Sequence, residues 1–331
     1  MVYRLIYIIR ILKDKLRCNI SYFHLKYYKF GLTNDRPTII KGAFISPRNG
    51  IVFNINLKLL YNSIFSERKI QVLYKFNFLR LKISFKPTTI IEHGPWDNYY
   101  HWYIDSIPRL FWLWESNIKT MSSICLLCSK KLNREEEEIL LCLVPPNVQL
   151  KYVKPYQTYF SFTYIFLPFL SGSNSANLSD KYLNFFLEKM IKNFDLKDSN
   201  RLKIFVSREK AAKRRFLNHD AVNKWMKDNG FYVLFLEELS IREQANYFYN
   251  AEIVISQHGA GLTNLLFSKS ASVIEIFSSP NVYHNHYKSL CESKGLKYYS
   301  FNCMGENKNS DVFLNLLDFK NSYNFLLNPE V

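Results

Sequence analysis

A histidine and an aspartate four residues apart form the first candidate for chemistry. His101 and Asp105 lie in the string EHGPWDNYYHWYIDSIPRL, directly after an apolar run typical of a strand. Residues four apart share one face of a helix, so the two side chains are expected to meet if the helix has begun there. Either group can take the proton from a reacting hydroxyl. In the alternative, structural interpretation, Asp105 caps a helix and His101 is hydrogen-bonded and inert.

Basic side chains follow a second apolar run. The string VSREKAAKRRFLNHD carries Arg208, Lys210, Lys213, Arg214 and Arg215 just beyond a predicted buried strand. Ligands of open α/β sheets bind at the carboxyl ends of the strands, where guanidinium and ammonium groups suit a diphosphate. We expect Arg208 to make the first contact because it lies nearest the strand end, and Lys213 or Arg214 the second. The alternative is a solvated basic loop.

Two glycines mark a tight turn between a strand and a helix. In ISQHGAGLTNLLFSKSASVIEIF, Gly259 and Gly261 let the backbone approach a ligand closely, and the helix that begins near Leu262 offers N–H groups to phosphate oxygens. This segment supplies most of the candidate ligand contacts, namely His258, Gly259, Ala260, Gly261, Asn264 and Glu275.

Two side chains of this segment leave alternatives open. His258 either contacts phosphate or sugar, or only holds the turn. Glu275 lies inside the apolar strand SVIEIF, where an ionised carboxylate is costly without a partner. That partner is either a pair of ribose hydroxyls or a neighbouring backbone or basic group.

The elements that must position these residues alternate between short β-rich runs and longer periodic segments. This rhythm predicts an α/β protein with parallel sheets. Helices are expected around 98–116, 134–144, 180–194 and 220–229, with Asn133 as an N-cap, structural glutamates after it, and a capping box at Ser240 and Glu243. The predicted strands are PTIIKGAFI, TTIIEHG, SICLLCS, VQLKYV, TYIFLPF, RLKIFVS, YVLFLEE, EIVISQ and SVIEIF.

The length of 331 residues predicts two domains, because domains cluster near about 100–150 residues. A polar stretch, LSGSNSANLSD, has the composition of a linker. We therefore divide the chain into a basic amphipathic lead segment, 1–30, an N-terminal domain, 31–175, and a C-terminal domain, 176–331.

The formal net charge of +16 suits a phosphate-bearing ligand or an anionic membrane surface. The lead segment is too short and too charged to span a bilayer. It either lies in a membrane interface or packs as an ordinary first helix.

The cysteines are scattered and fall mostly in apolar runs, which favours a reducing compartment. The pair Cys125 and Cys128 is expected to pack in a core, so we predict no metal or redox centre there.

Taken together, the segments NYYHWYIDSIPRL, SREKAAKRRFLN, and SQHGAGLTNLLF followed by VIEI resemble the motifs of glycosyltransferase family 61. They occur in the family's order, over roughly Glu92 to Phe277. The resemblance implies a GT-B arrangement, in which two Rossmann-like domains face a central cleft. It also implies an inverting, metal-independent transfer from a nucleotide diphosphate sugar, usually UDP-linked, with no cofactor. The absence of a D-x-D motif agrees with metal independence.

The resemblance places acceptor-side residues on the N-terminal domain, here Glu92, His93, Asn98 and Arg109, and nucleotide-sugar contacts on the C-terminal domain. We expect Asp105 to be the general base, with His101 as helper or substitute; His101 or Glu92 as the base is the alternative. The implied partners are a nucleotide sugar and a glycan or lipid-linked glycan acceptor. The implied setting is capsular or surface-polysaccharide assembly in the bacterial cytoplasm. The lead segment and the positive charge add an expected peripheral association with the inner face of the plasma membrane.

Two other functions compete with this one. A polysaccharide-modifying transferase of the pyruvyltransferase type would share two Rossmann-like domains and a His–Gly turn. Nucleic-acid binding would use positive charge and aromatic stacking. The basic residues are spread over both halves and no nucleic-acid motif is present, so no nucleic-acid partner is expected.

Overall fold

The computed structural model describes residues 36–47, 50–55, 60, 81–91, 99–129, 131–154, 157–170, 176–278, 285–303 and 309–327. The lead segment 1–30 and the acceptor-side candidates Glu92, His93 and Asn98 lie outside the described residues. None of the helices that the structure describes is long and apolar enough to cross a membrane.

The strands within the described ranges form two sheets. The first sheet contains β1 (Thr38–Ser46), β2 (Ile51–Asn54), β3 (Leu81–Ser84), β4 (Thr88–Ile91), β5 (Ile124–Cys128), β6 (Val148–Tyr152) and β7 (Thr158–Phe166). The second contains β8 (Leu202–Val206), β9 (Phe231–Leu234), β10 (Ala251–Gln257), β11 (Ser272–Phe277) and β12 (Lys297–Asn302). The α/β class is therefore confirmed.

The first sheet is mixed. Its strand order is β2-β1-β7-β4-β5-β6, and β3 also pairs with β7. Strand β1 runs antiparallel to β2 and β7, whereas the other pairs are parallel. The expectation of parallel sheets is thus wrong for the β1–β2 edge. The interior strand β5, next to the edge strand β6, is buried along its whole length, as the uninterrupted apolar run ICLLC requires of a strand covered on both faces.

The second sheet is parallel throughout, with the order β12-β11-β10-β8-β9. When the strands are numbered from β8, this is the doubly wound order 2-1-3-4-5. The first connection adds β9 on one side of β8, and the later strands are added on the other side, so the strand order reverses between β8 and β10. Ligands of such sheets bind outside the carboxyl ends of the two strands that flank this switch point. The fold therefore directs attention to the residues that follow β8 and β10.

The α-helices that the structure describes agree with several of the predicted segments. Their bounds are Ser116–Lys119, Arg134–Leu143, Asp180–Phe194, His219–Asp228, Ile241–Tyr249, His286–Lys294 and Leu316–Leu327. Two 3-10 helices, Leu236–Glu238 and Ala260–Phe267, complete the regular elements of the second half. The segment predicted as one helix over 98–116 is an irregular helix, formed by an α-turn at Tyr99–His101, a π-helix at Trp102–Ser106 and a 3-10 helix at Ile107–Trp114.

Local signals at helix ends are confirmed. The Ser240 hydroxyl accepts a hydrogen bond from the Glu243 N–H at 3.3 Å, and Glu243 Oε2 accepts one from the Ser240 N–H at 2.8 Å. Asn133 and Glu136 make the same reciprocal pair, at 2.8 and 3.0 Å. Gly230 follows the helix that ends at Asp228 and has a φ of +80°, which glycine adopts without strain.

The glutamates after Asn133 have structural partners. Glu135 Oε1 accepts a hydrogen bond from the backbone N–H of Ile241 at 2.9 Å, and Glu138 forms an ion pair with Arg242. These contacts tie the helix Arg134–Leu143 to the start of the helix Ile241–Tyr249. The prediction that these glutamates are structural is confirmed for both residues.

Other boundaries differ from the prediction. Strand β7 begins at Thr158, five residues before the predicted run, and the run YVLFLEE leaves the sheet at Leu234 and forms a 3-10 turn. Strands β2, β3 and β12 and the helices His286–Lys294 and Leu316–Leu327 were not predicted. Their segments are short or mix polar and aromatic residues and lack a clear hydrophobic periodicity, so the sequence predicts their secondary structure only weakly.

Close packing divides the chain into two compact units. The first comprises Met1–Asp97, Trp112–Lys131 and Val144–Phe169, and the second comprises Asn98–Phe111, Leu132–Leu143 and Leu170–Val331. Cys125 and Cys128 are buried free thiols in the first unit, as predicted for core residues. The predicted domain limits, 31–175 and 176–331, stay a prediction, because packing units do not report independent folding.

Candidate functional site

The site candidates that the structure describes all belong to the second unit. Arg208 is the second residue after the end of β8, and His258 is the first residue after the end of β10. Both therefore lie at the carboxyl ends of the two strands that flank the switch point. Doubly wound sheets bind their ligands at this place.

The guanidinium group of Arg208 lies against the glycine turn. A Cβ atom built on Gly259 would overlap Nη1 of Arg208 and lie 2.9 Å from its Cζ, so this position of the guanidinium requires a residue without a side chain. Arg208 Nη2 donates a hydrogen bond to the carbonyl oxygen of Lys213 at 3.2 Å. Its Nε is buried and has no hydrogen-bond partner among the described residues. A buried donor without a partner is costly, and an anion would satisfy it.

Arg214 brings a second cation to the same turn. Its Nη1 donates a hydrogen bond of 2.9 Å to the carbonyl oxygen of His258. Its backbone has a φ of +58°, and its N–H donates to the carbonyl oxygen of Asn309 at 3.0 Å, which holds this strained residue in place. Burial lowers the pKa of Arg208, and the positive charge of Arg214 lowers it further. A bound anion would offset both the cost of burying the Arg208 charge and its repulsion by Arg214.

The remaining basic residues of this loop do not point to the glycine turn but have carboxylate partners or are exposed. Lys210 pairs with Glu238, and Arg215 bonds to the buried carboxylate of Asp311 at 3.0 Å. Lys213 is exposed, and its carbonyl oxygen holds Arg208. Of the three cations predicted to bind the ligand, the structure therefore places Arg208 and Arg214 at the turn and leaves Lys213 at the surface.

His258 is held by a buried carboxylate. Its Nδ1 lies 2.5 Å from Oε1 of Glu275, whose side chain has 0% exposure. The hydroxyl of Tyr298 donates to the other carboxylate oxygen at 2.7 Å. Of the two partners considered for Glu275, the structure supplies the neighbouring side chain. This carboxylate is fully buried, and its Oε1 holds Nδ1 of His258.

Asn264 belongs to a chain of hydrogen bonds between helices. Its Oδ1 accepts from the Tyr99 hydroxyl at 2.6 Å, and its Nδ2 donates to Gln244 Oε1 at 2.7 Å. Gln244 in turn donates to the carbonyl oxygens of Leu236 and Leu239, both at 2.9 Å. Asn264 is buried, so its visible role is to join the irregular helix to the helix after the glycine turn.

The glycine turn itself leads straight into the 3-10 helix Ala260–Phe267. Ala260 is partly exposed at its first position. A Cβ atom on Gly261 would lie 2.9 Å from Leu236 Cδ1 and 3.3 Å from Val206 Cγ1, so this glycine serves close packing against β8. The two glycines therefore have different functions, one toward Arg208 and one toward the core.

His101 and Asp105 form a hydrogen-bonded pair across the junction from the α-turn to the π-helix. His101 Nδ1 lies 2.6 Å from Oδ2 of Asp105, and the side chains are 22% and 4% exposed. This contact fixes the orientation of the imidazole ring relative to the buried carboxylate of Asp105. Arg109, predicted to face the acceptor, is 3% exposed.

Aromatic rings bring the His101 segment to the His258 turn. The ring of Tyr287 lies 5.6 Å from that of Tyr100 and 5.6 Å from that of His258, and Tyr100 lies 5.3 Å from the ring of His101. The structure therefore unites the three predicted segments within one compact unit.

Sequence reasoning missed Tyr99, Tyr287 and Tyr298 as parts of this cluster. Tyr287 and Tyr298 lie in an unpredicted helix and an unpredicted strand, and tyrosine is too common in this chain, with 23 copies, to attract attention. Within the described residues, no group of three or more His, Cys, Asp or Glu side chains is arranged to hold a metal ion.

Comparison with known protein families finds one family that matches the part of the chain containing most of these site residues. A family model described as Glycosyltransferase 61 matches residues 99–274, which is more than half of the 331 residues. The match begins at the irregular helix and covers the His101–Asp105 pair, the basic loop and the glycine turn. It ends one residue before Glu275. No curated protein matches the chain significantly.

Proposed function

Because the chain belongs to glycosyltransferase family 61, and is therefore an enzyme that transfers a glycosyl group, we propose that its second unit binds a nucleotide diphosphate sugar. The acceptor is a glycan, as the family implies. The diphosphate lies at the carboxyl ends of β8 and β10, and the transferred sugar lies toward the His101–Asp105 pair.

The pair of arginines at the switch point is the observation that supports this proposal most. The hydrogen bonds seen for Arg208 and Arg214 go to carbonyl oxygens, whereas the neighbouring Lys210 and Arg215 have carboxylate partners. Two guanidinium groups without a carboxylate partner among the described residues suit the charge of a diphosphate. The N–H groups at the start of the helix after Gly259 add favourable dipoles.

The proposed reaction is a single displacement that inverts the anomeric carbon. The acceptor oxygen bonds to that carbon while the bond to the diphosphate oxygen breaks, and the electron pair of this bond leaves with the diphosphate. Arg208 and Arg214 stabilise the charge that develops on it. The acceptor proton passes to the His101–Asp105 pair. A UDP-linked donor and independence of divalent metal belong to this proposal.

The exposure of the pair favours a division of labour within it. The sequence favours Asp105 as the group that takes the proton itself. Its side chain is almost fully buried, whereas that of His101 is partly exposed and oriented through Nδ1. We therefore propose that His101 receives the acceptor proton and that Asp105 holds its ring, in the arrangement of a base oriented by a third group.

The wider setting is part of the same proposal. Two α/β units are compatible with a GT-B arrangement, and the net charge of +16 suits peripheral attachment to an anionic membrane. We place the enzyme in the cytoplasm, at the inner face of the plasma membrane. There it would extend a glycan or lipid-linked glycan of a capsule or other surface polysaccharide.

Calorimetric titration of the full chain with UDP tests the donor site. We expect Arg208→Ala to weaken binding about 10- to 100-fold, the range for a lost hydrogen bond to a charged group. Arg201→Ala is the matched control, because Arg201 is exposed at the opposite, amino end of β8 and should leave affinity unchanged. Equal affinities of both variants, or binding that requires manganese, would contradict the proposal.

A further inference from the structure

A chain of hydrogen bonds begins at the start of the helical segment that carries His101. The hydroxyl of Tyr99, two residues before His101, donates to Oδ1 of Asn264 at 2.6 Å. Asn264 lies in the 3-10 helix that follows the glycine turn, and its Nδ2 donates to Gln244 Oε1 at 2.7 Å. The first of these bonds therefore joins the segment of the proposed base to the element that follows the proposed diphosphate site.

The direction of each bond in this chain follows from its far end. The carbonyl oxygens of Leu236 and Leu239 only accept hydrogen bonds, so the group of Gln244 that lies 2.9 Å from both is its amide nitrogen. Oε1 of Gln244 then accepts from Nδ2 of Asn264, which leaves Oδ1 of Asn264 as the acceptor for Tyr99. Burial raises the pKa of Tyr99, so its hydroxyl keeps the proton that it donates. The chain has one arrangement, with Tyr99 as the donor.

The segment that this chain anchors has little regular structure of its own. Its α-turn covers the three residues Tyr99–His101, and the π-helix Trp102–Ser106 follows directly. Helical turns this short depend on contacts with the rest of the fold, because they fix many dihedral angles for few internal hydrogen bonds. The ring of Tyr100 packs 5.6 Å from that of Tyr287, but apolar packing is non-directional, whereas a hydrogen bond weakens steeply as its angle changes. The bond of Tyr99 therefore fixes the rotation of the turn.

We propose that Tyr99 and Asn264 are positioning residues, whose hydrogen bond sets the place of His101 relative to the diphosphate site. This inference rests on the proposed function, in which His101 receives the acceptor proton and the diphosphate lies at the glycine turn. Displacement of a reacting group by about 1 Å can lower a rate about 10²-fold. The expected signature of losing the bond is a lower kcat at unchanged affinity for UDP.

Tyr99→Phe tests the bond with the smallest change. It removes the hydroxyl and keeps the ring, which lies 4.5 Å from that of Tyr103. With the UDP-sugar that best stabilises the wild type against heat, kcat of the full chain should fall about 10- to 100-fold. Calorimetric titration with UDP should give the affinity of the wild type. A folded Tyr99→Phe variant with the kcat of the wild type would overturn the proposal.

Tyr249→Phe is the matched control. Tyr249 is buried, and its hydroxyl bonds to Asp198, which precedes β8 and so lies at the opposite, amino end of that strand. This variant also loses one tyrosine hydrogen bond, but it should keep the kcat of the wild type. An equal fall of kcat in Tyr249→Phe and Tyr99→Phe would assign the loss to general destabilisation and refute a positioning role.

A double-mutant cycle tests whether the two partners act through one bond. Asn264→Leu should lower kcat by itself, and adding Tyr99→Phe should lower it little further, because both changes remove the same interaction. Losses that multiply in the double variant would show that the two residues act separately. If Asn264→Leu does not fold, Tyr99→Phe and its control still decide the question.

Hydrogen–deuterium exchange tests the anchor without any ligand. In the full chain, Tyr99→Phe should speed exchange of the backbone amides of residues 99–106 and leave the helix His219–Asp228 unchanged. Unchanged exchange at residues 99–106 would contradict the inference. A wild type that transfers no sugar would refute the proposed function, whereas the exchange rates would still decide whether Tyr99 anchors this segment.

Discussion

At the scale of single residues, the site contains two histidines whose Nδ1 atoms each meet a carboxylate. The His101–Asp105 pair is local, four residues apart, and the His258–Glu275 pair joins two neighbouring strands. In both pairs the carboxylate is more deeply buried than the imidazole. Each carboxylate therefore holds a ring that is closer to the surface, and proton transfer is proposed for the ring of His101.

The proposed base is tested by changing both partners of the first pair. Asp105→Asn and His101→Gln should each lower turnover about 10²- to 10⁴-fold, because a general base contributes that much. The double variant should be no slower than the worse single variant, since the two residues act as a unit. Turnover is measured with a UDP-sugar, and UDP affinity reports an intact donor site.

Asp220→Asn is the control for this experiment. Asp220 is exposed and lies 3.2 Å from Nδ1 of its neighbour His219, so it is an Asp–His pair outside the proposed site. We expect wild-type turnover for this variant. If His101→Gln keeps most of the activity while Asp105→Asn loses it, Asp105 itself is the base, as first expected from the sequence.

At the scale of elements, the turn between β10 and the 3-10 helix determines where Arg208 can lie. Gly259 has an extended φ of 169°, which any residue can adopt, so its special feature is the missing side chain. The guanidinium of Arg208 occupies the space of that side chain. The position of Arg208 after β8 thus depends on the absence of a side chain at Gly259 after β10.

Gly259→Ala tests this dependence without backbone strain. The added methyl group should displace Arg208 and weaken UDP binding by about the same 10- to 100-fold as Arg208→Ala. In a chain that already carries Arg208→Ala, Gly259→Ala should have little further effect, because the two changes remove one interaction. Additive losses in calorimetric titration would show that the glycine serves another purpose.

At the scale of the whole molecule, the chain has 44 Lys and Arg against 28 Asp and Glu. Most of the cations named at the site are either paired or directed at the glycine turn. The remaining positive charge is available for a long-range interaction with an anionic surface, which salt screens over about 10 Å at 0.1 M.

Flotation with anionic liposomes tests membrane attachment. We expect the full chain to float with the vesicles at low salt and to be released as the salt concentration rises. A chain that lacks residues 1–20 should bind more weakly if the lead segment contributes its apolar face. Vesicles of neutral lipid are the control; equal flotation with neutral and anionic lipid would argue against an electrostatic attachment.

The sequence by itself determined the class of fold and the three segments of the site. The alternation of apolar runs and periodic segments predicted the strands β8, β10 and β11 within a residue or two, because burial on both faces of a parallel sheet demands continuous apolar runs. Local rules were equally sufficient for the capping box at Ser240 and the Asn133 cap. The resemblance of the ordered motifs to family 61 is confirmed by the family match.

Only the tertiary structure decided which groups meet across strands and helices. Tyr298 reaches Glu275, and Tyr287 joins Tyr100 to His258, through contacts that depend on strand order, register and helix packing. A one-residue change of register would point Tyr298 to the other face of the sheet. The periodicity of a single sequence contains no information on register between distant strands, so the partner of a buried carboxylate such as Glu275 emerges only when the sheet is assembled.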